Sequence, residues 1–160
     1  MESSNRGGES EQVPPLGPVL EFMRLLWALD HGLQSTSKRM EATLGVTGPQ
    51  RLVLRIVGHF PGTSAGEVAA ILHIHPSTLT GVLKRLQARG LIEREPDPSD
   101  ARRSRLRLTA AGQALNRVRA GTVEAAVRRV LAQVAPDKVA VVQEVLGLLA
   151  EEVGRSGRSE

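Results

Sequence analysis

The sequence of 160 residues contains no cysteine, which excludes disulfides, cysteine-based redox sensing and cysteine-ligated zinc. Aromatic side chains are scarce: there are one tryptophan, two phenylalanines and no tyrosine. No stretch approaches the roughly 18 consecutive apolar residues that a transmembrane helix needs. Residues 1–12 are polar and lack the apolar segment of a secretory signal. We therefore expect a cytoplasmic protein with no membrane contact, of a size suited to one main domain.

Signatures of catalysis and of metal binding are also missing. The sequence has no Ser/His/Asp arrangement, carboxylate pair or phosphate-binding glycine loop in a suitable context, so we expect neither an enzyme nor a cofactor. His73 and His75 are two residues apart, while His31 and His59 are isolated. No histidine and glutamate cluster has the spacing of metal ligands. We expect no metal site, and we interpret the histidines as surface or packing residues.

Positive charge is concentrated in one part of the chain. The net charge is +4, and arginine outnumbers lysine eighteen to three. Between Lys84 and Arg107 there are eight basic and four acidic residues, so this window alone carries +4 and the rest is nearly neutral. Such asymmetry favours a polyanionic partner.

Helical periodicity organises most of the chain. Apolar residues from Val19 to Leu44 fall into two stripes that merge into an arc of about half the helix circumference, more than an ordinary surface helix needs. The excess predicts a helix covered both by its own domain and by a second surface. We predict flexible tails at residues 1–18 and 154–160, and helical segments at 19–46 and 110–153 on either side of a central domain at 47–109.

The middle of the chain predicts a helix-turn-helix followed by a hairpin. Capping boxes at Thr47–Gln50 and Ser64–Glu67 open two helices, and a third runs from Pro76 to Arg89 and ends at a glycine. Two short strand-like runs flank the turn-forming segment 96–100. A long helix from Thr109 to about Val134 and a last helix from Pro136 follow. This order indicates a mainly α fold with a small β-hairpin wing, the winged helix-turn-helix.

One face of the predicted helix from Pro76 to Arg89 suits a DNA groove. Leu79, Val82, Leu83 and Leu86 share one side, and small hydroxyls and two cations share the other. Hydroxyls, cations and a helix N-terminus can all bind phosphates or base edges. The alternative is a solvated polar face of an ordinary amphipathic helix. The predicted contacts on this face are Ser77, Thr78, Thr80, Lys84 and Arg85.

The predicted wing carries four arginines within residues 102–107. The negative potential of a narrow minor groove attracts the positive charge of arginine. The guanidinium group can also donate two parallel hydrogen bonds to phosphate oxygens. Asp100 is a poor choice for attracting phosphate, so we expect it to organise the tip through backbone amides or by orienting an arginine. The alternative is a charged edge that blocks strand-to-strand aggregation. The predicted wing contacts are Asp100, Arg102, Arg103 and Arg105.

These segments together resemble the MarR family of winged-helix transcription regulators. The matching pieces are Leu44…Thr47-x-x-Gln50, Glu67-Val-Ala69, Ser77-Thr-Leu-Thr80, Leu86-x-x-x-Gly90, Asp97-Pro-x-Asp100-x-Arg102 and Leu108-Thr109-x-x-Gly112. The resemblance covers roughly Val19 to Val153, and it implies dimerisation helices at 19–46 and 110–153 and a DNA-binding domain at 47–109. It implies an obligate helical homodimer on a pseudo-palindromic operator, with recognition helices in successive major grooves and wings in flanking minor grooves. It also implies release by a small ligand, often an aromatic acid.

A ligand site is predicted on the first helix. The resemblance places the family's pocket between the dimer region and the winged helix, near Trp27, Asp30 and His31. Asp30 interrupts the apolar arc, and a buried carboxylate there would need a partner. The alternative is that Trp27 is core and that Asp30 pairs with an arginine of its own chain. The absence of cysteine excludes the oxidant-sensing branch of the family.

The sequence thus predicts a homodimeric repressor that leaves a double-stranded DNA operator when a small effector binds. Two alternatives are an architectural DNA binder without sequence preference and a winged-helix protein-interaction module.

Overall fold

The computed structural model describes residues 15–156, and the remainder of both predicted tails lies outside the described residues. The described residues form two units, with the boundary between Gly32 and Leu33. The elements, in chain order, are α1 (Gly17–Leu44), α2 (Gly48–His59), α3 (Ala65–Ile71), α4 (Pro76–Ala88), β1 (Ile92–Asp97), β2 (Asp100–Leu108), α5 (Ala110–Arg117), α6 (Val123–Leu131) and α7 (Pro136–Ser156). The predicted fold class, mainly helical with one hairpin, is confirmed.

The first unit contains the N-terminal part of α1, and most of its apolar side chains face solvent. Trp27 is 76% exposed and Val19 is 69% exposed, and Leu20, Met23 and Leu29 are all more than half exposed. So much exposed apolar surface on one helix is typical of an interaction site. The wide apolar arc read from the sequence is therefore present on α1.

The second unit is built around one apolar core. The winged domain buries the inner faces of α2, α3 and α4 together with the start of β1 and the middle of β2. Both predicted capping boxes are present: the amide of Gln50 donates to Oγ1 of Thr47 over 3.4 Å, and that of Glu67 donates to Oγ of Ser64 over 3.2 Å. Each box satisfies amides at a helix start that would otherwise have no partner. The buried hydrophobic residues are Val46, Val53, Leu54, Val57, Val68, Ala69, Leu79, Val82, Leu83, Leu86, Leu91, Ile92 and Leu106.

The hairpin is antiparallel and is anchored to the loop before α3. Ile92 pairs with Leu108 and Glu95 with Arg105, and the register shifts between Pro96 and Asp97. The amide of Leu106 donates to the carbonyl of Thr63 over 2.8 Å, and the amide of Gly62 donates to the carbonyl of Leu106 over 3.0 Å. These bonds fix the base of the wing to the helical domain.

The prediction of one long helix from Thr109 to Val134 is wrong, because the helix is broken. Thr109 does cap α5, but α5 ends at Arg117 and Val118 is extended. Gly121 adopts φ +71°, and Thr122 then caps α6 by accepting from the amide of Ala125. A left-handed residue cannot continue an α-helix, and glycine adopts this conformation without strain.

The carbonyls at this break are bound by one buried arginine. Arg51, on α2, is 1% exposed and donates to the carbonyls of Leu115, Asn116 and Val118. Its Nε donates to Oε1 of Glu124 over 2.7 Å. Arg51 thus replaces the helical bonds that these carbonyls lose at the break.

The helices after the break leave apolar side chains exposed. Val130 of α6 is 58% exposed, and Leu148 and Val153 of α7 are 60% and 64% exposed. Helix α7 extends to Ser156, so residues 154–156, predicted as part of a tail, are helical. Within the described residues, no helix is both long enough and apolar enough to span a membrane.

Candidate nucleic-acid interface

Helix α4 divides cleanly into a buried and an exposed face. Leu79, Val82, Leu83 and Leu86 are each 8% exposed or less. The five predicted contacts on the opposite side, Ser77, Thr78, Thr80, Lys84 and Arg85, are all exposed. The amphipathic pattern therefore places the predicted groove-facing residues on the solvent side of the helix. Their contacts with DNA remain a prediction.

The first turn of α4 is organised by His75. Its Nδ1 accepts from the amide of Ser77 over 3.2 Å and lies 2.7 Å from Oγ of the same serine. Pro76 fills the first helical position, where no amide is needed. Thr80 donates its hydroxyl to the carbonyl of Pro76 over 2.9 Å, which leaves its oxygen free to accept. His75 is therefore a helix cap, a structural role in line with our interpretation of the histidines.

Asp100 shapes the wing tip. Its Oδ1 accepts from the amide of Arg102 over 3.0 Å, and its Oδ2 lies 3.8 Å from Nε of Arg103. The first bond closes a local turn and the second holds an arginine loosely. Both contacts match the organising role expected for this carboxylate. Asp100 thus stabilises the conformation of the wing tip, independently of what the wing binds.

Asp97 is a second organising carboxylate that our sequence analysis did not single out. It accepts from Nε of Arg105 over 3.0 Å, and from the amide and hydroxyl of Ser99. The bond from Arg105, followed by those from Ser99, holds the pKa of Asp97 well below its ordinary value. The signal available in the sequence was the motif Asp97-Pro98-Ser99, which favours a side chain bound to the amide two residues on.

The four wing arginines therefore differ in how closely an acidic side chain of the wing already pairs with them. Arg105 is paired with Asp97, and Nε of Arg107 lies 2.8 Å from Oε2 of Glu95. The side chains of Arg102 and Arg103 are exposed. In the part of the chain that the structure describes, Arg102 has no ion-pair partner. We therefore expect Arg102 and Arg103 to reach a partner directly, and Arg105 to act mainly by bracing the wing.

The residues predicted for a ligand site lie on α1 in the first unit. Trp27, Asp30 and His31 are all exposed. The interpretation of Trp27 as plain core is wrong, because 76% of its surface is accessible. Among the described residues, no group of three or more histidine, aspartate or glutamate side chains could hold a metal ion. A ligand role for the three residues remains a prediction.

With helix α4 in the position of the recognition helix and the β1–β2 hairpin in that of the wing, the fold is that of a winged helix-turn-helix protein. A sequence profile of the MarR family matches residues 44–103. The transcriptional regulator HosA of Escherichia coli O111:H- is 30% identical over 119 residues, which are 74% of this chain and 77% of that protein. The chain belongs to the MarR family.

Two further relatives bear on function. The HTH-type transcriptional repressor Rv2887 of Mycobacterium tuberculosis is 36% identical over 90 residues, 56% of this chain. The matched region spans 65% of that repressor's length. The crystal structure of the PcaV transcriptional regulator from Streptomyces coelicolor, in complex with its natural ligand, superposes with a TM-score of 0.64 and 30% identity. The match covers 85% of this chain and 93% of PcaV.

Proposed function

We propose that this protein is a cytoplasmic, sequence-specific DNA-binding transcriptional repressor. The observation that carries the proposal is the exposed face of α4, with small hydroxyls at its N-terminus and Lys84 and Arg85 further along, on a helix whose other face is core. A helix of this composition enters a major groove without steric obstruction, and its cations and hydroxyls reach phosphates and base edges. The names of the relatives HosA and Rv2887 support the same function.

The wing extends the proposed interface. Arg102 and Arg103 stand at the tip of a hairpin that is bonded at its base to the loop before α3. A rigid hairpin loses little conformational entropy on binding, so its arginines can gain from the potential of a narrow minor groove. In this arrangement the recognition helix reads bases while the wing adds affinity and fixes the register.

We further propose that the repressor is a homodimer. The support is the exposed apolar surface of α1, and separately that of α6 and α7. A second copy of the chain would cover these surfaces and set two recognition helices at a fixed separation. A two-fold protein matches a pseudo-palindromic operator, with half-sites about one helical turn apart.

Release by a small effector completes the proposal. An effector releases the repressor only if it binds better to a form whose recognition helices misfit the operator. The support for an effector is the likeness to PcaV, which was crystallised with its natural ligand. Trp27, Asp30 and His31 are the residues we assign to such a pocket, and an aromatic acid is the class we would screen first.

Selection from random duplex DNA followed by footprinting tests the function. The repressor is expected to protect one short symmetric site. Uniform coverage would instead identify an architectural binder. No protection even at low salt, where nonspecific binding is strongest, would identify a protein-interaction module. Either of these outcomes contradicts the proposed function.

A further inference from the structure

Five arginines gather around one carboxylate where α2 meets the break between α5 and α6. The carboxylate is Glu124, in the first turn of α6. Arg51 and Arg55 approach it from α2, at 2.6 and 3.9 Å. Three more arginines line a cavity together with Glu124. We call the set the α5–α6 arginine cluster; its members are Arg51, Arg55, Arg119, Arg128 and Arg129.

The charges of this cluster are not balanced. Glu124 is bound by Arg51 through two nitrogen atoms, at 2.7 and 2.6 Å. Arg55 donates instead to the backbone carbonyl and the side-chain oxygen of Asn116, over 3.1 and 2.9 Å. Both nitrogen atoms of Arg51 contact the same oxygen, Oε1, of this single carboxylate. Five guanidinium groups and one carboxylate leave an excess charge of +4.

The surroundings of one member of the cluster, Arg55, lower the pKa of its guanidinium group. Burial lowers the pKa of Arg55, and repulsion from Arg119, Arg51 and Arg128 lowers it further, against the attraction of Glu124. Like charges held close together destabilise one another, and a bound anion would relieve this repulsion. The cluster thus has an energetic reason to bind negative charge.

The cavity beside Glu124 has the size and lining of an anion site. Its volume is about 230 Å³, and its lining residues are Arg119, Glu124, Ala125, Arg128 and Arg129. Only Ala125 offers an apolar side chain, so an aromatic ring would find little to pack against. Arginine forks pair well with the oxygens of a phosphate group. We propose that the α5–α6 arginine cluster binds a compact oxyanion with two negative charges, namely a phosphate group carried by a small molecule or free in solution.

The position of the cluster gives such binding a structural consequence. Arg51 holds the carbonyls at the break, and α6 carries Val127, Val130 and Leu131 on its exposed apolar face. An anion bound between the α5–α6 connection and α6 would stabilise this geometry over alternatives. If α6 contributes to the homodimer, which rests on the proposed function, phosphate would then favour one separation of the two recognition helices.

Thermal unfolding of the full chain in inorganic phosphate tests the site without DNA. At constant pH and ionic strength, replacing chloride with phosphate is expected to raise the melting temperature along a saturable curve, because a ligand that binds only the folded state stabilises it. The double variant Arg119→Gln/Arg128→Gln is expected to weaken the apparent phosphate affinity by roughly tenfold or more. Both side chains are exposed, so the variant should fold. Arg129→Gln is a milder second variant with a smaller expected loss.

Two controls separate this site from other cationic surfaces. Arg155→Gln removes an exposed arginine of α7 that pairs with Glu152 over 3.0 Å, and it should leave the phosphate response unchanged. Arg102→Gln/Arg103→Gln removes the wing arginines and should also leave it unchanged. The proposal fails if phosphate gives no saturable shift, or if the cluster variants respond like the wild type.

Further measurements identify the source of the phosphate group and test whether the cluster is part of the DNA-binding surface. Glycerol 3-phosphate binding more tightly than inorganic phosphate would indicate a small phosphorylated molecule, and the reverse order would indicate the free ion. If the double variant instead lowers duplex affinity in phosphate-free buffer as much as Arg102→Ala does, the cluster belongs to the DNA surface and the proposal is overturned. Footprinting and phosphate titration are independent, so failure of one leaves the other result standing.

Discussion

Asp97 and Arg105 face each other across the base of the wing tip, with Nε of Arg105 3.0 Å from Oδ2 of Asp97. Arg105 also forms an isolated bridge with Ser64, which precedes α3. The pair therefore connects the turn of the wing to the strand that is anchored on the helical domain. The ion pair thus helps to hold the hairpin in one conformation.

Replacing Asp97 with asparagine is expected to weaken operator binding several-fold. Removing a negative charge beside DNA would, by charge alone, strengthen binding. The structural role predicts the opposite sign, because Nε of Arg105 would face an NH2 group in place of the oxygen that accepts from it, and the wing would lose its fixed shape. Glu95→Gln removes an equal charge from the same wing, where Glu95 pairs with Arg107. Gel-shift titrations should show weaker binding for Asp97→Asn only; equal behaviour of both variants would argue for charge alone.

Arg102→Ala and Lys84→Ala are each expected to weaken operator binding by roughly tenfold while the dimer persists. Arg102 lies at the wing tip and Lys84 on the exposed face of α4. If Lys84 contacts a phosphate, its loss should also reduce the slope of log affinity against log salt by about one. A salt series on the selected operator, with sedimentation to check the dimer, measures both. Wild-type affinity in both variants across the series would refute the assigned contacts.

Arg51→Met is expected to lower the free energy of unfolding by about 3 kcal/mol. The change leaves Glu124 without its main partner and removes the guanidinium bonds to the carbonyls of Leu115 and Val118. Arg24→Met is the matched control, since Arg24 forms an exposed pair with Glu21 and should matter little. Urea denaturation gives both values. A small loss for Arg51→Met would mean that water replaces the guanidinium at the break.

The stabilising effect of Glu124 is expected to depend on pH. Burial is the largest single effect and raises its pKa, but the hydrogen bonds from Arg51 and from its own backbone amide, together with the charges of Arg51 and Arg55, lower the pKa below its ordinary value of 4.5. A carboxylate with a lowered pKa in the folded state contributes stability above its unfolded pKa, and loses it as the pH falls through the folded value. The difference in free energy of unfolding between wild type and Glu124→Gln should therefore be constant near neutrality and shrink in acid. A difference that grows in acid would contradict this.

Local signals in the sequence predicted most of the winged domain. The starts and ends of its helices were predictable because they depend on residues only a few positions apart. These residues are the helix caps, the proline at the start of α4 and the glycine after it. The exposed face of α4 follows from the spacing of Leu79, Val82, Leu83 and Leu86. The hairpin follows from two strand-like runs around a turn. None of these required knowledge of distant contacts.

The features that escaped prediction depend on distant partners. Arg51 is buried because it binds Glu124, which lies 73 residues further along the chain. The pairing of Asp97 with Arg105 requires the register of the hairpin, which shifts after Pro96. Gly121 and Thr122 are a local signal for the break after α5. The prediction of one long helix followed instead from the apolar periodicity, which continues past these two residues. Tertiary bonds from Arg51 stabilise the broken form.

Gly112→Ala is expected to destabilise the fold by about 3 kcal/mol or more. A Cβ atom at Gly112 would lie 1.9 Å from the carbonyl oxygen of Leu91, which accepts from the amide of Thr109 over 3.2 Å. This backbone cannot move without loosening the joint between the wing and α5. Gly90→Ala is the control: Gly90 has φ +64° and no atom within 4 Å of an added Cβ, so only backbone strain of about 1 kcal/mol is expected. Urea denaturation of both variants should give this order, and a larger loss for Gly90→Ala would show that left-handed strain, not close packing, limits this joint.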